Sequence, residues 1–375
     1  MQLSPVLTEL VQYPFTRLDD WKADARAEGI ELIDFGMGDP REVTPAFIRD
    51  ALSAAIEPVS SYPRATGLPE LREAIAGWLE RRFGVAADPA TEIVPTLGSK
   101  EAIFSFAQVA LGEKRLVAIP EPAYPVYERG ALFASGGIVT VPLAEDGGWL
   151  PDLDAFDAWD EIALFWVCYP NNPTGAVAPL SFYEELSSRA RQHGFLLCSD
   201  EAYSELWFDE PPVSALQVDD RSNVVVFNTL SKRSSMTGYR SGFVCASAEI
   251  GDALRAFRPT VGTAPQEFVQ RASVAAWSDE RHVADVRALY RRKRDTLLPA
   301  LEERGLRLAG SAATFYLWVD VGGPSEEFAR RLLSHGIVVA PGSFFGAAGE
   351  GYARFALVPT QEQCEQAAAI VREVL

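Results

Sequence analysis

Short apolar runs rich in β-branched and aromatic residues recur through the middle of the chain, at 116–120, 138–143, 162–168, 195–199 and 223–228. Each has the length and composition of a buried strand. The segments between them, 180–193 for example, carry apolar residues at helical spacing. This alternation predicts an α/β fold whose mostly parallel sheet is covered on both faces, with ligands gathering at the carboxyl ends of the strands. Leu71, Ile75, Trp78 and Leu79 fall on one helical face, and beyond Gly251 the pattern turns helical, with a basic amphipathic stretch at 284–304. Strand-like runs at 314–319 and 352–358 then alternate with helical segments at 325–335 and 361–374. At the other end, residues 1–34 hold two amphipathic pieces around Tyr13, Pro14 and Phe15, and Ile33, Asp34 and Phe35 make a short strand that runs into Gly36 and Gly38. The expected organisation is an N-terminal arm with part of a small domain at 1–45, a large domain at 46–280, and the rest of the small domain at 281–375.

Composition narrows the function. A chain of 375 residues, 48% hydrophobic and 23% charged, has the makeup of an ordinary globular protein with room for two domains. Its net charge of −18 opposes binding to nucleic acid or to an anionic membrane surface. The start of the sequence lacks the basic and apolar stretches of a signal peptide, so the expected location is cytoplasmic. Cys168, Cys198 and Cys245 lie in or beside strand-like runs, Cys364 lies in a helical one, and no pair has metal or redox spacing, so buried reduced thiols are expected. His193, His282 and His335 are too scattered for a zinc site or a serine triad.

Candidate chemistry concentrates in 228–243, Asn-Thr-Leu-Ser-Lys-Arg-Ser-Ser-Met-Thr-Gly-Tyr-Arg-Ser-Gly-Phe, which reads as a polar loop between two apolar strands. Lys232 follows the hydroxyls of Thr229 and Ser231 and precedes Arg240. A lysine at the rim of a buried site shifts readily to its neutral, nucleophilic form and suits a Schiff base with a carbonyl cofactor. Hydroxyls and an arginine fork suit that cofactor's phosphate. A solvated loop lysine is the bland alternative. Gly98 and Ser99 open a helical segment, where free backbone N–H groups attract anions, Ser99 is a candidate cap, and Lys100 follows without completing a nucleotide-binding loop. Asn172 sits in a rigid Asn-Asn-Pro-Thr-Gly turn. Asp200 follows a buried strand, a costly place for a carboxylate without a cationic or hydrogen-bonding partner. Arg354 lies mid-strand among apolar neighbours and reads either as half of an ion pair or as a cation in a cleft.

In order and spacing these motifs resemble the pyridoxal-phosphate enzymes of fold type I, the class I/II aminotransferases of the aspartate aminotransferase superfamily. The wording around Lys232 is most similar to that of N-succinyldiaminopimelate aminotransferases, with Thr229 where serine is commoner. The resemblance implies a seven-stranded, mostly parallel sheet sandwiched by helices, a smaller α/β domain from both termini, and pyridoxal 5'-phosphate as cofactor. Lys232 would hold the cofactor as a Schiff base and shuttle a proton. Asp200 would keep the ring nitrogen protonated, while Asn172 and Tyr203 would bind the ring oxygen and Tyr124 would stack on the ring. Gly98, Ser99, Lys100, Thr229, Ser231 and Arg240 would surround the phosphate, joined by Tyr62 reaching across a homodimer interface. Gly36, Asn172 and Arg354 would bind the substrate, Arg354 as a clamp on its α-carboxylate.

The same resemblance implies amino transfer between an amino acid, with glutamate the expected donor, and a 2-oxo acid. N-succinyl-2-amino-6-oxopimelate is the leading acceptor, which would place the enzyme in lysine and diaminopimelate biosynthesis. Aspartate, alanine and aromatic amino acids stay open as alternatives. The segment 260–265 holds no arginine for a distal carboxylate, and Arg41 and Arg64 are the nearest substitutes. The scaffold also serves carbon–sulfur lyases and non-catalytic ligand-sensing domains.

Overall fold

The computed structural model describes residues 4, 6, 7 and 14–375, so Tyr13 and the other residues at 1–3, 5 and 8–12 of the expected arm lie outside the described residues. Seven strands form the central sheet in the order Ile93–Thr96, Gly242–Cys245, Val224–Thr229, Leu196–Asp200, Ile162–Cys168, Leu116–Glu121 and Gly137–Pro142. Only Gly242–Cys245 runs against the others. Alternation along each strand feeds two cores. Phe165 and Val167 face one side with Trp78, Leu186 and Trp277, while Leu164 and Trp166 face the other with Ile103, Phe106 and Leu254. Both faces are therefore buried, which is why the strands read as unbroken apolar runs.

The helices follow from equally local causes. Pro69 starts the helix Pro69–Phe83, Gly84 in the left-handed region ends it, and Leu71, Ile75, Trp78 and Leu79 are its buried face as expected. The helix Gln361–Val374 opens on a capping box, in which Thr360 Oγ1 accepts from Gln363 N at 3.2 Å and Gln363 Oε1 accepts from Thr360 N at 3.0 Å. The basic stretch is the helix Arg281–Glu303, and its buried Lys293 is paired with Glu42. Among the described residues no helix is long and apolar enough to cross a membrane.

A second sheet of four strands runs Ala340–Pro341, Tyr352–Ala356, Tyr316–Asp320, Arg307–Leu308. The glycine segment is tied in beside it: Ile33–Asp34 pairs with Ile337–Val338 as a separate two-stranded sheet, and Ala356 N, at the end of an inner strand, donates to Phe35 O at 2.8 Å. Gly36 and Gly38 thereby reach the open end of the large sheet. All four cysteines are buried and free.

Candidate active site

The carboxyl ends of the large sheet converge on a cavity of about 460 Å³. Ser99, Lys100, Tyr124, Asn172, Asp200, Tyr203, Thr229, Ser231, Lys232, Arg240 and Arg354 all line it. Each ends a strand, as Asp200 and Thr229 do, or follows one, except Arg240, which precedes the one antiparallel strand and so arrives at the same edge, and Arg354, which comes from the second sheet.

One end of the cavity is built for an anion. The helix Ser99–Ala110 points its N-terminus there, and Gly98 takes φ 78° and ψ 170° as its cap. A Cβ at Gly98 would stand 2.8 Å from Arg240 Nη2, so the close approach of guanidinium and helix end requires glycine. Ser99, expected as a cap, is instead the first helical residue and bonds no backbone N–H in that role. No side-chain cap hydrogen bond forms at this helix start; Glu101 Oε2 accepts from Leu97 N, ahead of the helix, at 3.3 Å, and its carboxylate is held by buried Arg258 at 2.9 and 3.1 Å. The hydroxyl of Ser99 is left to face the cavity. Arg240, itself left-handed at φ 53°, donates to Thr237 O at 2.8 Å and Leu97 O at 3.1 Å and pairs with no carboxylate among the described residues. Lys100 has its pKa lowered by burial and by the Arg240 charge, the mark of two cations crowded at one place.

The lysine loop is more regular than its sequence suggests. Leu230–Arg233 is one turn of helix, because Thr229 caps it by accepting from Ser231 N at 3.2 Å. Thr229 and Ser231 also bond each other at 2.9 Å. That turn aims Lys232 into the cavity, where it is half-buried and donates to Gly38 O at 2.7 Å. Burial pushes its pKa down to about 8, against the pull of Asp39.

The opposite wall carries the acid. Asp200 is the last residue of its strand rather than the first after it, because backbone pairing with Cys168 and Phe227 continues past the apolar run. Its Oδ2 accepts from Tyr127 Oη at 2.8 Å and its Oδ1 from Ala202 N at 3.2 Å. Burial raises its pKa to about 6, with both hydrogen bonds opposing. No cation lies within ion-pair distance among the described residues. Beside it, the Asn-Asn-Pro-Thr-Gly turn is locked by Asn171, whose Oδ1 accepts from Thr174 N and Oγ1 at 3.0 and 2.9 Å. Gly175 at φ 69° closes the turn against Ser311 Cα, 2.6 Å from where a Cβ would stand. Asn172 is held for use: its Oδ1 accepts from Arg354 Nη1 at 2.8 Å.

Arg354 resolves its two readings. The guanidinium is buried, donates to Asn172 and to Gly36 O at 2.8 Å, and forms no ion pair among the described residues. Its Nε is buried without a hydrogen-bond partner. The rings of Tyr316, Phe345 and Phe15 surround it at 4.3, 4.6 and 5.5 Å. A desolvated cation that lines a cavity and has no carboxylate partner among the described residues is a receptor for a carboxylate.

Several lining groups were not legible as site residues. Tyr316 sits in an expected strand, and Tyr127, which does not line the cavity but donates to Asp200, is the second residue of a helix; each reads as ordinary core by periodicity. Asp39, Thr237, Gly238, Phe15 and Phe345 carry no signal of their own. Gly98 and Gly36 stand just behind the wall. Tyr62 and Arg64 are exposed and do not line the cavity, and Arg41, 52% exposed, lies 3.6 Å from Asp34.

Fold and site together define a lysine-bearing α/β enzyme built around an anion cup, a buried acid and a carboxylate receptor. The sequence profile of the aminotransferase class I and II family matches residues 30–371, and the chain belongs to that family. It is 40% identical over 98% of its length to LL-diaminopimelate aminotransferase 2 of Trichormus variabilis, of which 97% is covered. It is 38% identical to LL-diaminopimelate aminotransferase of Nitratidesulfovibrio vulgaris, with 98% and 97% covered. Among solved structures, an aminotransferase from Neisseria meningitidis superposes with a TM-score of 0.92 at 38% identity over the whole of both chains. A probable N-succinyldiaminopimelate aminotransferase from Thermus thermophilus gives 0.90 at 33%, covering 96% of this chain and all of that one. The protein is a pyridoxal-phosphate-dependent aminotransferase. The residues present fit that cofactor: a helix end and Arg240 for a phosphate, unpaired buried Asp200 for a pyridinium, and Lys232 within the same cavity.

Proposed function

We propose that the cavity transfers an amino group between LL-diaminopimelate and the glutamate/2-oxoglutarate pair. The observation that carries the reading is Arg354, a buried guanidinium that lines the cavity together with Lys232 and pairs with no carboxylate among the described residues. Bound there, pyridoxal 5'-phosphate supplies a carbonyl carbon that accepts the amino group and a ring that withdraws electrons from it. The chain does the rest. Gly98, Ser99, Lys100, Thr229, Ser231 and Arg240 would hold the phosphate, Asp200 would meet the ring nitrogen, Asn172 and Tyr203 would bind the ring oxygen, and Tyr124 would pack on the ring. Lys232 would hold the cofactor at rest, and its freed Nζ would take the proton from the substrate's α-carbon. Arg354 would fix the α-carboxylate so that this proton can face Nζ, whereas Gly36, expected to share that contact, has its N–H taken by Asp34 and its carbonyl accepting from Arg354, and so supports the guanidinium instead.

The names of the sequence relatives favour the free diamino acid, and the Thermus thermophilus neighbour supports the N-succinyl form as a second reading. Glutamate formed from 2-oxoglutarate separates them. LL-diaminopimelate is expected to exceed aspartate, alanine and phenylalanine as donor by about tenfold or more in kcat/KM. A larger value with N-succinyl-LL-diaminopimelate would favour the second reading, and equal values for all donors would remove both. Arg354→Lys should raise KM for every donor by about a hundredfold, since a bidentate charged pair becomes a point contact. An unchanged KM would take Arg354 out of carboxylate binding.

The proposed active unit is a cytoplasmic homodimer with shared sites. Tyr62 is fully exposed in the single chain, Ile56, Val59 and Phe268 are partly exposed, and a two-fold interface would let each tyrosine reach the partner's phosphate. Lys232→Ala mixed with a Tyr62→Phe, Arg64→Ala double variant should recover activity, because one of the two sites in a mixed dimer is then intact. Subunit exchange is checked by mass. Exchange without recovery, or an active species that sediments as a monomer, would rule out shared sites.

A further inference from the structure

We propose that Tyr316 is a positioning residue of the reaction, whose hydroxyl directs the Tyr203 proton into the cavity and whose ring fixes the plane of Arg354. The proposal rests on the reading of the cavity as the cofactor site. Tyr316 leaves the second sheet at the register next to Arg354: Trp318 pairs with Arg354 and Ala356 with Tyr316, so Tyr316 and Arg354 are diagonal neighbours on one face. The guanidinium carbon stands 4.3 Å from the ring centroid, within cation–π range. The hydroxyl end meets Tyr203 Oη at 2.8 Å. On a third side the backbone of Gly38 presses against the Tyr316 hydroxyl so closely that a Cβ there would collide with it. Gly38 O in turn receives Lys232 Nζ. One buried side chain thus touches the carboxylate receptor, the tyrosine expected at the cofactor, and the segment that holds the lysine.

The direction of the hydroxyl pair follows from charge. Two neutral phenols share one bond, and the more acidic of them is the better donor. Burial raises both, and the Arg354 guanidinium, which opposes that rise, stands 4.3 Å from the Tyr316 ring, so its charge favours Tyr316 as the donor. Tyr316 therefore donates and Tyr203 accepts. The single proton of Tyr203 is then free to point at a negatively charged ring oxygen in the cavity. Without the Tyr316 hydroxyl, Tyr203 can rotate and lose that aim.

The test uses the holoenzyme with Tyr316→Phe, Tyr316→Leu, Tyr203→Phe and the Tyr203→Phe, Tyr316→Phe double variant. Two quantities are read besides turnover. They are the pH midpoint of the bound cofactor's absorbance change and the affinity for a dicarboxylate that cannot be transaminated. Tyr316→Phe keeps the ring, so inhibitor affinity should stay within about twofold of the wild type. Its kcat/KM should fall about tenfold, the size of one buried hydrogen bond. Its absorbance midpoint should rise by about half a unit or more towards that of Tyr203→Phe, because a donor aimed at an anionic oxygen disfavours proton uptake. Added to Tyr203→Phe, the same change should do nothing further. Tyr316→Leu should also weaken inhibitor binding about tenfold, through the lost ring. An unmoved midpoint in Tyr316→Phe, or a double variant whose defects multiply, would overturn the proposal. If Tyr316→Phe does not fold, the effect of Tyr203→Phe decides: a midpoint equal to the wild type's would show that there is no directed proton to lose. A wild-type protein without any cofactor absorbance would overturn the underlying reading as well, and is distinguished by that alone.

Discussion

Lys232→Ala is expected to leave a folded protein that binds the cofactor without a covalent link and transfers amino groups at least about ten-thousandfold more slowly. The size of the loss follows from two duties converging on one nitrogen. Lys232 Nζ is the only lysine amine other than that of Lys100 to line the cavity among the described residues, and Lys100 lies at the anion end beside Arg240. Nothing else there can hold the carbonyl carbon, and nothing else is placed to move the α-carbon proton. Burial brings the amine to a pKa of about 8, and the nearby carboxylate of Asp39 stops it from falling further. Such an amine can be neutral for attack and can regain a proton afterwards. Stability should change little, since the side chain gives up one hydrogen bond, to Gly38 O. The decisive measurement is borohydride reduction of the wild type followed by peptide mapping. Label on Lys100, Lys22, Lys114 or Lys293 would sink the assignment, as would an alanine variant that turns over at a rate near the wild type's.

Much of this site could be read before any coordinates, and the reasons are local. Asn172 and Lys232 sit in turns whose chemistry is written in consecutive residues: Asn171 locks one turn through Thr174, and Thr229 caps the other. Strands buried on both faces announce themselves as apolar runs, so 162–168 was placed to the residue. Strand ends were harder to place. Asp200 and Thr229 are polar yet still paired in the sheet, because the ladder is set by the neighbouring strand and not by hydrophobicity. What stayed hidden depends on tertiary contact. Tyr127 and Tyr316 are aromatic residues in regular elements, and only the fold turns their hydroxyls towards Asp200 and Tyr203. Ser99 does not fill the capping role expected of it: Gly98 takes the cap position, and Arg258, 157 residues away in sequence, holds the Glu101 carboxylate over Leu97 N just ahead of the helix.

Asp200→Asn nearly preserves shape and removes charge, and it is expected to lower kcat by about a thousandfold, the scale of a lost electrostatic contact at a reacting centre. In the wild type the carboxyl is raised to about 6 by burial, with Tyr127 and Ala202 donating to it and no cation paired. Below about pH 6 the side chain is therefore neutral in the protein alone, and above it the carboxylate is buried and short of a positive partner. A pyridinium N–H is that partner. The sign follows: each favours the charged form of the other, so cofactor affinity should be full at pH 8 and weaken as pH falls through about 6, where the carboxylate takes a proton. The asparagine variant should bind more weakly at pH 8 and lose this dependence, because it has no proton to take up at that position. Cofactor release followed by absorbance between pH 5 and 8 measures both. Turnover near the wild type's, or a variant whose affinity still falls below pH 6, would show that the charge on Asp200 is not what the ring nitrogen meets.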